Sequence, residues 1–302
     1  MKIFITGAAG FVGAYLTRYF LEKGHEIHIL LREQSDTWRL KDIVDNVHVH
    51  HMDIRDEKVR EIVKHVQPDA VIHTAVYGGY HYQQDQGELQ ETIMQGTMSL
   101  IEACKELDCV FVNTGSSSEY GKKQEVMKED MLLEPNTPYG VFKAATTLYC
   151  QHMAREHSIK AVTLRLFSVY GYDEQEHRLF PTVLNAYAQG KTPTLSSPDF
   201  VRDFIFLEDV AAAYEAVLDG KGTGQIFNVC SGKEYKIADV VHAVREHFPK
   251  SAEPTYGDEG RVFEPAHWRG DHSKLTTATG WQPRHSLAEG VKKTLAWNNE
   301  RA

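Results

Sequence analysis

Residues 6–13 read TGAAGFVG, and this stretch decides the fold of the chain. It places Gly7, Gly10 and Gly13 directly after the apolar run KIFIT and at the start of a segment with helical period. A glycine-rich turn between a strand and a helix lets backbone N–H groups and the helix dipole approach a pyrophosphate, and the third glycine lets the helix pack on the strand. The stretch therefore predicts a dinucleotide-binding turn.

Short apolar runs alternate with segments of helical period, which is typical of βαβ units around a parallel sheet. The runs predicted as strands are KIFIT, EIHILL, VHVHHM, AVIHTA, VFVNT, AVTLRLF and, further on, QIFNVCSG. The predicted fold class is α/β, a Rossmann-type doubly wound parallel sheet with a smaller α/β carboxy-terminal substrate region. We expect the dinucleotide-binding domain over residues 1–170, with about 203–232 returning to it, and the substrate region over 171–202 and 233–302.

The composition is that of a globular protein with an ample core: 302 residues, 42% of them hydrophobic, and a net charge of −9. The acidic balance and the lack of a basic run argue against a nucleic-acid partner. No apolar run approaches the roughly 18 residues of a membrane-spanning helix, and the opening strand leaves no room for a secretory signal. We therefore expect a cytoplasmic protein without a membrane partner.

Metal binding is not predicted. The four cysteines form no CxxC pair. The histidine-rich run HVHHMD, residues 48–53, has no acidic or cysteine partner at ligand spacing in the sequence, and a strand edge explains it equally well.

Two short stretches offer acid–base chemistry. Tyr139 and Lys143, in YGVFK, are an i, i+4 pair and share one face of a predicted helix. A phenol, with a pKa of about 10, is a poor acid–base group near neutrality unless a neighbouring cation lowers that pKa. The stretch TGSSSEYG, residues 114–121, adds hydroxyl groups where the preceding strand ends.

The GxxGxxG spacing, with YGVFK, LRLFSVYG, RDFIFLEDVA and FNVCSG, resembles the extended branch of the short-chain dehydrogenase/reductase superfamily, which acts on nucleotide sugars. The resemblance covers nearly the whole chain. It implies that Ser116, four residues before Tyr120, hydrogen-bonds the reacting sugar oxygen, and that Tyr139 and Lys143 complete the catalytic set. It also makes residues 171–202 and 233–302 the nucleotide-sugar-binding region.

The resemblance also implies the cofactor contacts. The end of the second predicted strand decides between NAD and NADP, because an acidic side chain there binds the ribose hydroxyls of NAD. This chain has Leu31 at about that position and Arg32 beside it, and an arginine can pair with a 2′-phosphate. NADP(H) is favoured, and NAD(H) is the alternative. The predicted cofactor-binding residues are Gly7, Gly10, Phe11, Val12, Gly13, Arg32, Ser35, Asp53, Ile54, Thr74, Ala75, Tyr139 and Lys143.

A sugar nucleotide carries two phosphate charges, which an acidic protein must meet with placed arginines. By resemblance, the substrate-binding residues are Tyr77, His81, Ser117, Arg202 and Arg261. The helix around Tyr139 and a striped helix over residues 88–107 resemble the pair that forms a dimer interface in relatives, so we expect a homodimer.

The reaction follows from the residues after Ser116. Nucleotide-sugar 4,6-dehydratases have an Asp-Glu pair there, whereas this chain has Ser117 and Ser118. Glu119 one place later, or a group from the stretch VYGGYHYQQD (residues 76–85), could in principle substitute for that pair. Elimination is thus disfavoured. The stretch GSSSEYG, residues 115–121, resembles the corresponding stretch of nucleotide-sugar 4-ketoreductases of the GDP-4-keto-6-deoxyhexose reductase and CDP-abequose synthase type. This resemblance implies the leading hypothesis, an NADPH-dependent oxidoreductase that reduces a nucleoside-diphosphate 4-keto-6-deoxyhexose at C4. The alternatives are an NAD-dependent C4 epimerase, less favoured a 4,6-dehydratase, and a noncatalytic dinucleotide sensor.

Overall fold

A computed structural model describes residues 1–79, 83–257 and 267–301 of the chain. The strands within these ranges are β1 (Lys2–Thr6), β2 (Glu26–Leu31), β3 (His48–His51), β4 (Ala70–His73), β5 (Val110–Ser116), β6 (Lys160–Leu166), β7 (Ser168–Tyr170), β8 (Thr194–Leu195), β9 (Val201–Arg202), β10 (Phe204–Phe206), β11 (Ile226–Val229), β12 (Tyr235–Lys236) and β13 (Thr255–Tyr256). The α-helices are α1 (Phe11–Glu22), α2 (Val59–Val66), α3 (Gln86–Gln90), α4 (Gly96–Ala103), α5 (Pro138–His157), α6 (Leu179–Ala188), α7 (Leu207–Glu215), α8 (Ile237–Arg245), α9 (Ser273–Thr279) and α10 (Leu287–Arg301).

A seven-stranded parallel sheet in the order β11-β6-β5-β4-β1-β2-β3 forms the centre of the fold. Its inner strands are apolar on both faces, since helices cover both sides of a parallel sheet. One face packs with α1 and α7 through residues such as Ile5, Leu16 and Val210. The other packs with α2, α4 and α5 through residues such as Phe4 and Leu100. The predicted Rossmann-type α/β fold is confirmed.

The carboxy-terminal elements form a further apolar core beside the sheet. It joins α6, α8 and α10 to β10, and its aromatic centre is the stacked pair Tyr170 and Phe180, whose ring centres lie 4.1 Å apart. β11 returns to the edge of the main sheet next to β6, in register Ile226 with Thr163. The domain boundaries given above stay a prediction.

Two elements differ from the sequence prediction. The striped helix expected over residues 88–107 consists of α3, a π-helical segment from Glu91 to Gln95, and α4. At the start of α4, a Cβ on Gly96 would lie 2.8 Å from a side-chain carbon of Ile54, so glycine permits close packing there. The stretch FVRDFIFLEDVAAAYEAVL, whose pattern predicts one strand followed by a helix, contains two short strands, β9 and β10, before α7. No helix in the described ranges is both long and apolar enough to cross a membrane.

The sheet topology positions the site. β1 has β2 on one side and β4 on the other, so the connections leaving β1 and β4 diverge at the carboxyl ends of these strands. Such a switch point is where ligands bind in open α/β sheets. The glycine-rich turn after β1, the end of β4 and the end of β5 all lie at this edge.

Candidate active site

The glycine-rich turn is shaped by close contacts that only glycine permits. Gly7 has φ of +70°, and a Cβ there would lie 2.5 Å from the backbone N of Ala75. A Cβ on Gly13 would lie 2.2 Å from the carbonyl oxygen of Gly7. Gly10 is the N-cap of α1, with no side-chain cap and no acidic residue in the first turn, so the first N–H groups of α1 and its dipole can meet an anion.

The end of β4 holds the turn from the other side. Thr74 donates its hydroxyl to the carbonyl oxygen of Thr6 at 2.7 Å. His73 is buried, with Nδ1 2.7 Å from the Thr6 hydroxyl and Nε2 3.0 Å from the Thr97 hydroxyl. Burial, with the nearby Lys143 ammonium, lowers the pKa of His73 to about 3, so this imidazole is neutral. His73 thus fixes β1 and β4 together without adding charge.

Asp53 and Ile54, two of the predicted cofactor-binding residues, follow β3. The Asp53 carboxylate accepts two hydrogen bonds from the Arg55 guanidinium, at 2.9 and 2.8 Å, and one from the Arg55 backbone N–H. The Arg55 hydrogen bonds lower the pKa of Asp53. Asp53 is therefore an ionised, fixed group on the cleft wall.

The end of β2 presents a guanidinium to the cleft. Leu31 is buried, whereas the Arg32 side chain is 48% exposed. The Arg32 backbone N–H donates to the Ser35 hydroxyl at 3.0 Å, which closes the following turn. The Arg32 guanidinium lies 3.9 Å from the Glu88 carboxylate.

Ser116 ends β5 in a capping box. Its hydroxyl oxygen accepts a hydrogen bond from the Ser118 N–H at 3.1 Å, and its own N–H donates to the Glu119 carboxylate at 2.8 Å. This bond uses one of the two acceptor positions of the Ser116 oxygen and leaves its hydroxyl proton available. Ser116 lines the cleft, so that proton can be donated to a ligand there.

Glu119 points away from the cleft. Its carboxylate accepts a hydrogen bond from Arg165 at 2.7 Å, and both side chains are buried. Burial raises the pKa of Glu119, and the Arg165 guanidinium opposes that rise. Glu119 does not line the cleft. It is therefore not placed to supply the acid or base of an elimination reaction, the role considered for it above.

Tyr139 and Lys143 lie in the first turns of α5. Thr137 caps this helix by accepting the Gly140 N–H at 3.1 Å, and Pro138 occupies its first position. Lys143 is buried and donates to the carbonyl oxygen of Thr114 at 2.8 Å, with Nζ 5.9 Å from the centre of the Tyr139 ring. Burial lowers the pKa of Lys143 to about 8, while Glu119 acts in the opposite direction. A cation thus lies beside the phenol.

Trp268 was not found from the sequence. Its indole N–H donates to the Ser117 hydroxyl at 3.2 Å, and the Arg202 guanidinium lies 5.3 Å from its ring centre. Ser117, which is predicted to bind substrate, is buried, and it also accepts the hydrogen bond that orients the indole.

Glu174 is a second cleft residue that the sequence did not indicate. It is buried, it pairs with the Arg178 guanidinium at 3.4 Å, and one of its carboxylate oxygens has no hydrogen-bond partner among the described residues. Burial raises the pKa of Glu174 to about 7.

One cleft of about 1030 Å³ contains the glycine-rich turn, Ser116, Tyr139, Lys143, Glu174 and Trp268. The predicted His81 and Arg261 lie outside the described residues. Every other predicted site residue lines the cleft: Gly7, Gly10, Phe11, Val12, Gly13, Arg32, Ser35, Asp53, Ile54, Thr74, Ala75, Tyr77, Ser116, Ser117, Tyr139, Lys143 and Arg202.

The sheet, its switch point and the glycine-rich turn define a Rossmann-type protein that binds a dinucleotide. More narrowly, the chain belongs to the NAD dependent epimerase/dehydratase family, whose sequence model matches residues 3–230. This confirms the resemblance seen in the motifs. The family comprises NAD-dependent enzymes that modify nucleotide sugars.

Known proteins similar to the chain carry out different reactions. It is 27% identical to the low-salt glycan biosynthesis protein Agl12 of Haloferax volcanii, over 97% of this chain and 96% of that protein. It is 25% identical to the GDP-6-deoxy-D-mannose reductase of Pseudomonas aeruginosa, over 98% and 96%. The solved UDP-glucuronic acid 4-epimerase of Bacillus cereus, in complex with UDP-glucuronic acid and NAD, superimposes with a TM-score of 0.87 over 100% of both chains at 25% identity.

Proposed function

We propose that the chain is an NADPH-dependent oxidoreductase that reduces the C4 ketone of a nucleoside-diphosphate 4-keto-6-deoxyhexose. The observation that carries this proposal is that Ser116, Tyr139 and Lys143 line the same cleft as the glycine-rich turn. When bound there, a nicotinamide cofactor supplies the hydride that the C4 carbon accepts. The similarity to a GDP-6-deoxy-D-mannose reductase supports the substrate class.

The chain's own residues supply the proton. In the proposed mechanism the Tyr139 hydroxyl donates its proton to the oxygen at C4 as negative charge develops there. The Lys143 ammonium, near the Tyr139 ring, favours the phenolate that this transfer leaves. The Ser116 hydroxyl donates to the same oxygen, so the forming alkoxide meets hydrogen-bond donors and not bulk water.

Elimination is the less favoured chemistry. A dehydratase needs an acid for the leaving hydroxyl and a base for the C5 proton, and this chain has Ser117 and Ser118 in the decisive positions. Ser117 is engaged by Trp268, and the Glu119 carboxylate is buried against Arg165. These contacts support a single hydride and proton transfer.

A C4 epimerase is the second candidate. The similarity to the Bacillus cereus UDP-glucuronic acid 4-epimerase, with NAD in its complex, favours it. An epimerase oxidises and re-reduces the same carbon with the same three residues, so it shows no net use of cofactor. A reductase uses one cofactor for each product molecule.

We propose NADP(H) as the preferred cofactor. β2 ends in the apolar Leu31 followed by Arg32, so no acidic side chain at that position repels a 2′-phosphate. The Arg32 guanidinium is partly exposed on the cleft wall and its backbone is fixed by Ser35, which suits phosphate pairing. NAD(H) binding follows from the family.

Two arginines are proposed to meet the substrate diphosphate. Arg202 lines the cleft, with its guanidinium near the Trp268 ring, where it presents positive charge in an acidic protein. Arg261, the other, belongs to the residues whose structure is not described.

We further propose a homodimer through α3, α4 and α5. Two apolar side chains on α5 are exposed, Val141 at 47% and Leu148 at 56%, and a matching copy would cover them. Light scattering should give the mass of two chains for the wild type and of one chain for Leu148→Glu. A monomeric wild type would refute the dimer.

The experiment that tests the reaction is a matched pair of assays. GDP-4-keto-6-deoxy-D-mannose is mixed with the protein and NADPH, and absorbance at 340 nm is followed while nuclear magnetic resonance identifies the sugar product. We expect NADPH loss equal to the 6-deoxyhexose formed, faster than with NADH. In the second assay a GDP-hexose that has a hydroxyl group at C4 is incubated with the protein and no added cofactor, and interconversion of its C4 epimers without net cofactor loss would instead establish the epimerase.

A further inference from the structure

Strands β2 and β3 bring a second group of reactive side chains together, at the sheet edge away from the cleft. The two strands run parallel, with His28 opposite His48 and Leu30 opposite His50. Side chains alternate between the faces of a strand, so Glu26 and His28 of β2 share one face with His48 and His50 of β3. We call these four residues the edge cluster.

The side chains of the edge cluster are in contact. The His28 ring is nearly parallel to the His48 ring, with centres 4.5 Å apart, and to the His50 ring, with centres 5.3 Å apart. His28 Nε2 lies 3.0 Å from Glu26 Oε1, and His28 Nδ1 lies 2.9 Å from His50 Nε2. His28 is 8% exposed, whereas Glu26 and His48 are exposed. The edge cluster therefore has a fixed central imidazole and two adjustable neighbours.

We propose that Glu26, His28 and His48 bind one divalent cation of the zinc type, with water as the fourth ligand. One ligand atom from each residue lies within 4.8 Å of the other two. Tetrahedral zinc bonds of about 2.0–2.2 Å place donor atoms roughly 3.4 Å apart, so the exposed side chains need to close by up to about 1.4 Å, and the His48 ring needs to turn so that its nitrogen faces the cation. Two imidazoles with one carboxylate suit zinc better than calcium or magnesium, which prefer oxygen ligands.

His50 supplies what a metal-binding histidine needs on its other nitrogen. A histidine that binds metal through one ring nitrogen usually donates the N–H of the other to a fixed acceptor. With metal at His28 Nε2, the Nδ1–H of His28 donates to His50 Nε2 at the 2.9 Å distance already present. The cation takes the place of the proton that otherwise lies between His28 Nε2 and the Glu26 carboxylate. This second contact separates the edge cluster from a chance pair of surface histidines.

Lys2 is the group that opposes the cation. Its ammonium lies 3.9 Å from Glu26 Oε1, and it donates to the carbonyl oxygen of Val66 at 2.8 Å. The Val66 bond holds the ammonium away from direct contact with Glu26, and the cation competes with Lys2 for that carboxylate. Replacing Lys2 with methionine is therefore expected to tighten binding.

Calorimetric titration of zinc chloride into the full, untagged chain at pH 7 tests the proposal. We expect one zinc ion for each chain, at least tenfold weaker binding in His48→Ala and in Glu26→Gln, and unchanged binding in His51→Ala. His51 is the matched control, because it lies on β3 but on the opposite face, with Nδ1 3.9 Å from Glu33. Circular dichroism verifies that each variant is folded.

The proposal is overturned by any of three results: no stoichiometric zinc binding to the wild type, zinc binding as tight as the wild type's in both His48→Ala and Glu26→Gln, or loss of zinc binding in His51→Ala. Zinc binding that survives both ligand substitutions would place the cation at another site. The test does not depend on the proposed reaction, because its readout is metal binding alone.

Discussion

Replacing Lys143 with methionine tests how the folded protein holds the ammonium beside Tyr139. Lys143 is 4% exposed, and burial lowers its pKa from 10.5 to about 8. Each pKa unit corresponds to about 1.4 kcal/mol, so the charged form costs the folded state roughly 3 kcal/mol at neutral pH. Methionine removes this cost and also the hydrogen bond to Thr114, so the pH dependence is the cleaner measurement.

The sign follows from proton counting. Between pH 8 and 10.5 the unfolded chain keeps the Lys143 proton while the folded chain loses it, so the unfolded state binds more protons. The free energy of unfolding contributed by Lys143 then rises with pH, by roughly 1 kcal/mol between pH 7 and pH 9. The cost is complete below the folded pKa and disappears above the unfolded value.

Urea unfolding at pH 7, 8 and 9 measures the effect. The wild type should gain about 1 kcal/mol relative to Lys143→Met over this range, whereas the exposed Lys41→Met should follow the wild type. Parallel pH dependences for the wild type and Lys143→Met would refute the inference that Lys143 is buried with a lowered pKa.

Three further predictions concern neighbouring groups. Ser116→Ala should lower kcat about 100-fold and leave the Kd for NADPH unchanged, since one donor to the developing charge is lost; steady-state kinetics and fluorescence titration check this, and an unchanged kcat contradicts it. Arg32→Gln should raise the KM for NADPH about tenfold or more and leave that for NADH unaltered, and an equal rise for both cofactors would exclude a 2′-phosphate contact. Glu119→Gln should lower the free energy of unfolding by about 3–5 kcal/mol, because the buried Arg165 loses its partner; urea unfolding measures it, and a stable but inactive variant would indicate a catalytic role instead.

The fold was predictable because its signals are local. The glycine-rich turn directly follows β1, and every strand of the main sheet appears in the sequence as its own short apolar run. The break between β9 and β10 has no such signal. Asp203 lies there, and its buried carboxylate accepts backbone N–H groups of Ser231, Gly232 and Gly270. These partners are distant in sequence, so only the folded chain shows that they meet.

Parts of the site depended on similar long-range contacts. The family resemblance implied Ser116, Tyr139 and Lys143, and the structure brings these three residues into one cleft. Trp268 meets Ser117 across 151 positions, and no pattern within either segment indicates this contact. The Glu26 carboxylate joins the β3 histidines only because parallel pairing aligns β2 with β3. The sequence analysis predicted no metal site because it considered the histidines of β3 without Glu26 and His28 of the neighbouring strand β2.

The most direct test of the proposed chemistry is Tyr139→Phe, which removes the phenolic hydroxyl and keeps the ring. Single-turnover oxidation of NADPH by the 4-keto-6-deoxyhexose substrate should slow about 100- to 10,000-fold, while NADPH binds with the wild-type Kd. A rate within a few-fold of the wild type, at equal cofactor occupancy, would contradict proton donation by Tyr139.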